Sequence, residues 1–361
     1  MSKTTPRSSS ASRLEHVDGL RALAALWVAL YHAYEFFYRA PGKPHGGIWF
    51  DFMSAGHLGV PVFLALSGFC LAYPYARKKN YRVYAPGFAL RRALRIAPPY
   101  YVVMAALVLL VQVPAFRERV VQQPTDAKDI VLHVLMAHNL FGEHIWRISG
   151  PFWSIALESQ LYVVFPLLLA MLPRPALLAG VTVALGAVWW FVAPQYANLS
   201  TDASAFAFWN SLPSLLCVFA GGMISAKLSA EAKGWGWGWA CLPLWALAVW
   251  LDVSGQPPPW SVVVAGLGAC SALLVTTGHP FHRWFSWPPL VSVGLVSYTL
   301  YLTHNPVISL AGKLAAPRFD GWLLHGAAAG GVLLAVFVAS MLFPIIEKPF
   351  HELARRLAPR V

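Results

Sequence analysis

The stretch DGLRALAALWVALYHAYEFF, from Asp18 to Phe37, decides the fold class of this chain. It is mostly apolar, and its Arg21 and His32 are eleven positions apart. At about 100° per residue, eleven positions make three turns plus roughly 20°, so a helix places both side chains on one face, about 16 Å apart along its axis. Ionisable groups are costly within an apolar span and usually face an interior cavity with a function. The stretch therefore predicts a membrane helix that forms one wall of an internal site.

The composition of the whole chain indicates the same setting. Of its 361 residues, 58% are hydrophobic and only 12% are charged, against about 25% charged in soluble domains. Sixteen Trp and 13 Tyr suit a protein anchored at two membrane–water interfaces. The net charge of +12 is compatible with nucleic-acid binding, but the basic residues lie between apolar runs, as orientation signals do. The sequence therefore predicts the lipid bilayer as a partner and no nucleic acid.

Apolar windows long enough to cross about 30 Å of hydrocarbon occur ten times. We therefore predict an all-α integral membrane protein with about ten transmembrane helices around an intramembrane cavity. The windows are Asp18–Tyr38, Ser54–Ala76, Pro98–Phe116, Phe152–Leu172, Pro175–Ala193, Ala205–Ala226, Gly236–Leu251, Trp260–Gly278, Pro288–Leu310 and Gly321–Ile346.

The distribution of Lys and Arg predicts the orientation of these spans. With the N-terminus inside, 18 of the 27 basic residues lie in inner segments and eight in outer ones. Both termini are therefore expected in the cytoplasm. The domain prediction is a disordered tail over residues 1–13, a transmembrane domain over 14–350 and a basic tail over 351–361.

Three titratable side chains are expected at one depth within the membrane. By counting from the predicted span ends, His32 and Glu158 each lie about 9 Å below the outer boundary, and His304 lies about 12 Å below it. A lone histidine in a span is also compatible with simply capping a carbonyl group. Convergence of two histidines and a glutamate favours a reaction site.

A second set of candidate residues is basic. The segment RKKNYRVYAPGFALRRALRIAPPY, from Arg77 to Tyr100, carries seven cations and no acidic residue. Charge alone is compatible with a plain inner loop. However, Arg92 and Arg95 share one helical face just before Pro98 and Pro99, where the third span is predicted to start. Paired guanidinium groups at a membrane border suit the binding of phosphate oxygens. Nearby, Ser67-Gly68 is interpreted as a close helix contact rather than a chemical site.

Six segments of the chain together resemble the membrane acyltransferase family three, whose members O-acylate bacterial polysaccharides, peptidoglycan, Nod factors and macrolides. They are DGLRALAALWVALYH, GVPVFLALSGF, RRALRIAPPYY, FWSIALESQLYVVFP, SYTLYLTHNPV and IIEKPF, in this order. The resemblance implies a multi-pass protein of the bacterial cytoplasmic (inner) membrane. It also implies an acyl-CoA donor, usually acetyl-CoA, used from the cytoplasmic side, an essential histidine at His32 and an essential pair at Arg92 and Arg95. No metal is expected.

These expectations combine into one hypothesis. Arg92, Arg95 and Arg21 bind the phosphates of acyl-CoA, and His32 either carries the acyl group or acts as a general base. Glu158 is expected to orient the imidazole of His32. The acceptor is a hydroxyl of a glycan, a macrolide or a lipid-linked sugar, with an acceptor site predicted at His304, Tyr298 and Trp153.

Two other function classes use the same residues. A transporter or flippase would line its pathway with them, and would need titratable groups through both halves of the membrane. A structural membrane subunit would have to bear buried ionisable groups without a function, which is expensive. The clustering of the deep groups at one level and of cations at the inner end favours the enzyme.

Overall fold

The computed structural model describes residues 14–39, 42–43, 46–114, 125–195, 199–275 and 278–357. The predicted tail over residues 1–13 lies outside these ranges, as do residues 358–361 of the predicted basic tail. Within the described ranges the chain is all helical, with no strand. The remainder of the predicted basic tail belongs to a helix, because Lys348–Leu357 forms an amphipathic helix of 10 residues, about 2.8 turns, beyond the last long helix.

Sixteen α-helices follow one another in the described ranges. They are α1 Glu15–Ala33, α2 Ile48–Ser54, α3 Gly59–Lys78, α4 Ala85–Leu110, α5 Ala127–Val134, α6 Phe152–Met171, α7 Pro175–Phe191, α8 Asp202–Trp209, α9 Leu212–Ala230, α10 Cys241–Val253, α11 Pro258–Ala272, α12 Pro280–Phe285, α13 Pro288–Leu295, α14 Ser297–Ala315, α15 Gly321–Ile346 and α16 Lys348–Leu357.

Seven helical segments of the described chain are long and apolar enough to cross a membrane. They are Ile48–Lys78, Ala85–Leu110, Phe152–Met171, Pro175–Gln195, Asp202–Ala230, Trp235–Val253 and Gly321–Leu357. The first, eighth and ninth predicted spans fall outside this set. Polar side chains reduce the hydropathy of α1 and α14, and α11 has only 15 residues, about 22 Å of helix. The count of ten therefore stays a prediction.

Two predicted boundaries are wrong. The third span was expected to begin at Pro98, but α4 begins at Ala85 and continues through both prolines to Leu110, so Arg92 and Arg95 lie inside a long helix. The ninth span was expected to be continuous, but it breaks at Val296 between α13 and α14. In α4, the packing of the helix against its neighbours compensates for the backbone donors that the prolines remove.

The outer surface of the bundle is apolar, as lipid contact requires. Large hydrophobic side chains face outward: Val163, Leu333 and Ile345, for example, are 67–81% exposed. A soluble protein rarely exposes such contiguous apolar surface. These faces therefore belong against the hydrocarbon of the bilayer.

Glycines set the closest helix contacts in the core. A Cβ at Gly222 of α9 would overlap the carbonyl oxygen of Ala65 on α3, and one at Gly68 of α3 would overlap the carbonyl oxygen of Phe219. The two backbones therefore touch at this crossing, which is the small-residue packing that membrane helices favour. The interpretation of Gly68 as a packing residue is confirmed.

Helix α1 is held in the same way at its first turns. A Cβ at Gly19 would overlap the carbonyl oxygen of Phe285, and one at Gly294 of α13 would overlap that of Asp18. Beyond Ala33 the helix continues as a π-helical turn over Tyr34–Tyr38, a form that is frequent at functional sites.

A cap formed by residues 125–151 covers the first turns of α6. Within it, the rings of His133 and His138 stack with centroids 3.7 Å apart, and both residues are fully buried. The hydroxyl of Tyr101 on α4 donates to the carbonyl of Val134 at 2.7 Å, which ties the cap to the bundle. Phe152 is therefore buried, although it begins a membrane helix.

We expect the cap to make the fold less stable in acid. Burial and the neighbouring His133 lower the pKa of His138 to about 2, so the folded cap holds a neutral ring. Below pH 6.5 the unfolded chain binds a proton at this ring that the folded chain does not. The free energy of unfolding therefore falls by up to about 1.4 kcal/mol for each pH unit of acidification. Thermal unfolding of detergent-purified protein between pH 7.5 and 5 should show a weaker pH dependence in His138→Phe. An unchanged slope in the variant would contradict this assignment.

Candidate active site

Two imidazole rings from different helices meet inside the bundle. His32 of α1 and His304 of α14 have ring centroids 4.8 Å apart at an angle of 76°. The Nε2 atom of His304 lies 3.3 Å from Nδ1 of His32. His304 is 1% exposed and His32 is half-buried. The structure thus brings together two of the three titratable residues expected at one depth.

The contacts of these rings assign their protons. Nδ1 of His304 lies 2.9 Å from the carbonyl oxygen of Tyr301 and 3.1 Å from that of Leu300, so Nδ1 carries the proton and Nε2 has a lone pair. Nδ1 of His32 faces that lone pair and, at 2.9 Å, the carbonyl oxygen of Val28. Two acceptors at one nitrogen require a proton there. The Nε2 atom of His32 therefore presents a lone pair.

Glu158 occupies a different level of the bundle. Its Oε1 atom accepts hydrogen bonds from Ser67 at 2.6 Å and from Tyr162 at 2.5 Å, and its described hydrogen bonds do not include His32. The expected pairing of Glu158 with His32 is therefore wrong, and His304 takes the position beside the imidazole. Counting residues along α6 gave no information about which side chains of other helices Glu158 meets.

The same contacts revise the interpretation of Ser67. Its hydroxyl holds the Glu158 carboxylate and lies 3.2 Å from the hydroxyl of Tyr162. Ser67 is thus a polar member of the site, whereas its neighbour Gly68 serves helix packing. A serine directly before a glycine on a helix-contact face gave no sequence signal for this role.

The three predicted phosphate-binding arginines cluster around Glu158 and Tyr162. Arg21 has Asp18, Glu158 and Tyr162 among its electrostatic neighbours, and Arg95 has Arg21, Arg92 and Glu347. The guanidinium carbon of Arg92 lies 5.6 Å from the ring centre of Tyr162. Its Nε atom is buried without a hydrogen-bond partner among the described residues. We call Arg21, Arg92 and Arg95 the arginine cluster.

Glu347 closes this cluster on the side of α14. It is 2% exposed, and its Oε2 atom accepts from the hydroxyl of Thr299 at 2.6 Å and from the amide of Thr299 at 3.2 Å. A buried carboxylate that is held in this way partly balances the guanidinium groups.

Polar residues of α14 connect the arginine cluster to the imidazole pair. Tyr298 donates to the carbonyl of Ile96 at 2.8 Å and has Glu158 as an electrostatic neighbour. One turn further, the hydroxyl of Tyr301 lies 2.6 Å from that of Ser154, and its ring centroid lies 5.6 Å from that of His304. Helix α14 therefore carries polar side chains from the arginine cluster to the imidazole pair.

Trp153, which was also predicted to belong to the acceptor site, lies apart from these polar side chains of α14. Trp153 is 7% exposed, and its ring packs edge-on against Phe206 of α8 with centroids 5.1 Å apart. Tyr298, for its part, lies at the level of the arginine cluster rather than beside the imidazole pair.

A further polar group surrounds the opposite side of His32. The Tyr31 ring lies 5.0 Å from that of His32 and 5.6 Å from that of His57. Nε2 of His57 lies 3.2 Å from Oδ1 of Asp252 on α10. Glu35, on the π-helical turn, is an electrostatic neighbour of His32, His57 and Tyr31. Sequence reasoning missed this group because Asp252 comes from a distant helix end.

Fold and site together describe a helical membrane protein whose imidazole pair lies between two polar regions. Among the residues described, no group of three His, Cys, Asp or Glu side chains is arranged to hold a metal ion. The arrangement instead combines an imidazole lone pair with a set of buried cations about three helical turns away. Such a pair of regions suits transfer of a group from an anionic donor.

Comparison with known proteins identifies the class. The model of the family described as "Acyltransferase domain" matches residues 14–344, and the chain therefore belongs to this family. It is a membrane acyltransferase, so the transporter and structural-subunit alternatives give way to the enzyme. No solved structure matches the chain.

Several relatives cover most of the chain. It is 25% identical to the peptidoglycan O-acetyltransferase OatA of Listeria monocytogenes over 93% of the chain and 55% of that relative. It is 26% identical to the putative membrane-bound transacylase BcsY of Komagataeibacter xylinus over 93% of the chain and 83% of the relative. Nodulation protein 10 of Rhizobium leguminosarum is 24% identical over 97% of both chains. The chain thus spans about half the length of OatA.

Proposed function

We propose that this protein transfers an acyl group, acetyl in the simplest case, from acyl-CoA to a hydroxyl of a glycan or small-molecule acceptor, with His32 as the reacting base or acyl carrier. The observation that carries the proposal is the contact of Nδ1 of His32 with the carbonyl of Val28 and with Nε2 of His304, which leaves Nε2 of His32 to act as the acceptor nitrogen. An imidazole in this tautomer is ready to take a proton or to attack a carbonyl carbon.

In the direct route, Nε2 of His32 removes the proton of the acceptor hydroxyl while the oxygen attacks the thioester carbonyl. The carbon–sulfur bond then breaks, and the proton passes from the imidazolium to the CoA thiolate. In the covalent route, Nε2 itself attacks the carbonyl, the carbon–sulfur bond breaks and the CoA thiolate leaves. The acceptor oxygen then attacks the acyl-imidazolium, the carbon–nitrogen bond breaks, and the proton of the acceptor hydroxyl passes to the thiolate.

The arginine cluster is proposed to bind the donor. The buried Nε of Arg92 has no described hydrogen-bond partner, and phosphate oxygens are strong acceptors for guanidinium groups. Arg21 and His32 share one face of α1 about 16 Å apart along the axis. Phosphates at Arg21 therefore leave the pantetheine arm directed along α14 toward the imidazole pair.

The membrane arrangement follows from this route. We propose that the arginine cluster faces the cytoplasm, where acyl-CoA is made, and that both termini lie on that side of a bacterial inner membrane. Helices α1, α11 and α14 complete ten spans, since polar side chains of α1 and α14 line the site rather than contact lipid.

The acceptor is proposed to reach His32 from the side of Glu35, His57 and Asp252. Hydroxyl-rich ligands are commonly bound by carboxylates and aromatic rings, and both surround Tyr31. The relatives named peptidoglycan O-acetyltransferase suggest a glycan. The predicted acceptor role of His304, Tyr298 and Trp153 changes accordingly: His304 is assigned to position His32, and the other two stay a prediction.

Incubation of the purified protein with radiolabelled acetyl-CoA tests the function. We expect labelled protein, labelled acceptor in membranes that supply one, or slow release of labelled acetate. Absence of all three with protein that is folded and binds acetyl-CoA would overturn the proposal.

Arg92→Ala is expected to weaken donor binding. Loss of a charge-assisted hydrogen bond costs about 1.5–3 kcal/mol, which corresponds to roughly a ten- to hundredfold higher KM for acetyl-CoA. Arg82, an exposed residue of the same basic segment, provides the control: Arg82→Ala should leave KM unchanged. An equal effect of the two substitutions would contradict the assignment.

A further inference from the structure

Helix α16 packs against α4 at the end of the bundle where the arginine cluster lies. The helix is amphipathic: Ala354 is buried and His351 is half-buried against the bundle, whereas Leu353 and Arg356 are exposed. Because α16 follows Glu347 directly, its first turn lies beside the arginine cluster, with His351 next to Glu347.

Two side chains of α16 extend the cluster outward. Nε2 of His351 lies 3.4 Å from Oε1 of Glu347, in a geometry that does not make a hydrogen bond. The electrostatic neighbours of His351 are Arg95, Arg355, Arg21 and Arg92. The ring therefore lies near the arginine cluster and also near the exposed residue Arg355.

The charges at this end of the bundle do not balance. The arginine cluster and Arg355 bring four cations, whereas the carboxylates beside them are the three of Asp18, Glu158 and Glu347. Two of these carboxylates already accept hydrogen bonds. Glu158 accepts from Ser67 and Tyr162, and Glu347 accepts from Thr299. Two buried nitrogen atoms of this region have no described hydrogen-bond partner: Nε of Arg92 and Nε2 of His351. The first is a hydrogen-bond donor, and the second is a donor when it carries a proton. The region is therefore prepared for more anionic oxygen than the protein supplies.

CoA carries phosphate in two separate places. The pyrophosphate adjoins the pantetheine arm, and a third phosphate is attached to the ribose at the far end of the molecule. If the arm extends along α1 from Arg21 toward His32, the pyrophosphate lies at the arginine cluster and the ribose points away from His32. The structure places α16 on that side.

We propose that His351 and Arg355 of α16 bind the ribose 3′-phosphate of CoA and so distinguish CoA from related thioesters that lack this group. The proposal rests on the proposed use of acyl-CoA as donor. Helix α16 then contributes to donor selection, in addition to lying at the membrane surface.

Arg356 provides a matched control. It is adjacent to Arg355 in sequence, carries the same charge and lies about 100° around the helix. It lines a shallow surface groove with Pro349, Glu352 and Leu353, away from Glu347. If α16 simply attracts anionic lipid or any polyanion, Arg355 and Arg356 should matter equally.

The test measures the Kd of CoA and of dephospho-CoA by calorimetry with the full-length protein in detergent. The unaltered protein is expected to bind CoA at least tenfold more tightly than dephospho-CoA, the effect of about one charge-assisted hydrogen bond. Arg355→Gln and His351→Gln should each lower that ratio severalfold, chiefly by weakening CoA. Arg356→Gln should leave the ratio unchanged, and melting temperatures identify any variant that fails to fold.

The outcomes separate the two proposals. If the unaltered protein binds neither compound, the donor assignment itself fails. If it binds both equally, or if Arg355→Gln and His351→Gln retain the full ratio, α16 has no role in reading the 3′-phosphate while the donor assignment stands. Equal losses in Arg355→Gln and Arg356→Gln would likewise overturn the inference in favour of a general charge effect.

Discussion

Replacement of His32 by alanine is expected to lower acyl transfer by about 10²–10⁴-fold, the usual cost of losing a positioned base. The loss should appear in kcat, because the substitution leaves the proposed donor site at Arg21, Arg92 and Arg95 unchanged. The Kd of acetyl-CoA should therefore change little. Measurement of product formation with radiolabelled acetyl-CoA, together with donor binding, separates these two quantities.

A matched control for this substitution is available on α15. His325 is also a histidine of a membrane helix and makes one hydrogen bond, to the hydroxyl of Tyr38 at 2.8 Å. His325→Ala should therefore retain most of the activity. A folded His32→Ala protein that transfers acetyl groups at the full rate would remove His32 from the mechanism.

The partner ring gives a graded version of the same experiment. His304→Gln is expected to lower kcat less than His32→Ala does, because the amide keeps an acceptor near Nδ1 of His32, whereas His304→Ala removes it. The pH profile should shift in both His304 variants, since the partner influences the basicity of His32. A merely structural role for His304 would change yield and melting temperature but leave the profile of the surviving activity in place.

Gly222→Ala is expected to prevent normal folding. The added Cβ would overlap the carbonyl oxygen of Ala65, and backbone atoms cannot rotate away as side chains do. Helices α3 and α9 would have to separate, which also displaces Ser67 from Glu158. Overpacking of a core costs about 1–3 kcal/mol and sometimes more, and this contact belongs at the upper end. Size-exclusion chromatography and thermal unfolding should show little monodisperse protein or a strongly lowered melting temperature.

Gly180→Ala is the corresponding control, because Gly180 lies in α7 and a Cβ there would meet no atom within 4 Å. This variant should elute and melt like the unaltered protein. Normal behaviour of Gly222→Ala would mean that α3 and α9 are not in backbone contact.

The sequence predicted the class of fold and the members of the site better than their arrangement. Helical periodicity placed Arg21 and His32 on one face, and local spacing paired Arg92 with Arg95; both rest on the geometry of a single helix. The meeting of His304 with His32 was expected only as a shared depth. That depth was counted along each helix separately and contains no information about which faces meet.

The prediction for Glu158 was wrong for a related reason. Its depth was counted from Phe152 on the assumption that α6 starts at the membrane surface. The cap over residues 125–151 covers that start, since Phe152 is fully buried and its ring lies beside that of His133. One partner of Glu158 is local, because Tyr162 lies four positions further along α6. The other partner, Ser67, comes from α3. Long-range contacts of this kind have no signature in local spacing.

The clamping of α1 through Gly19 and Gly294 has a consequence for the evolution of this segment. With its first turns fixed against two neighbouring backbones, any added or deleted residue between positions 21 and 32 would rotate everything beyond it by about 100°. The imidazole would then leave His304, although the composition of the segment had hardly changed. Homologous sequences are therefore free to exchange apolar side chains here, while natural variation in the length of this interval should be suppressed.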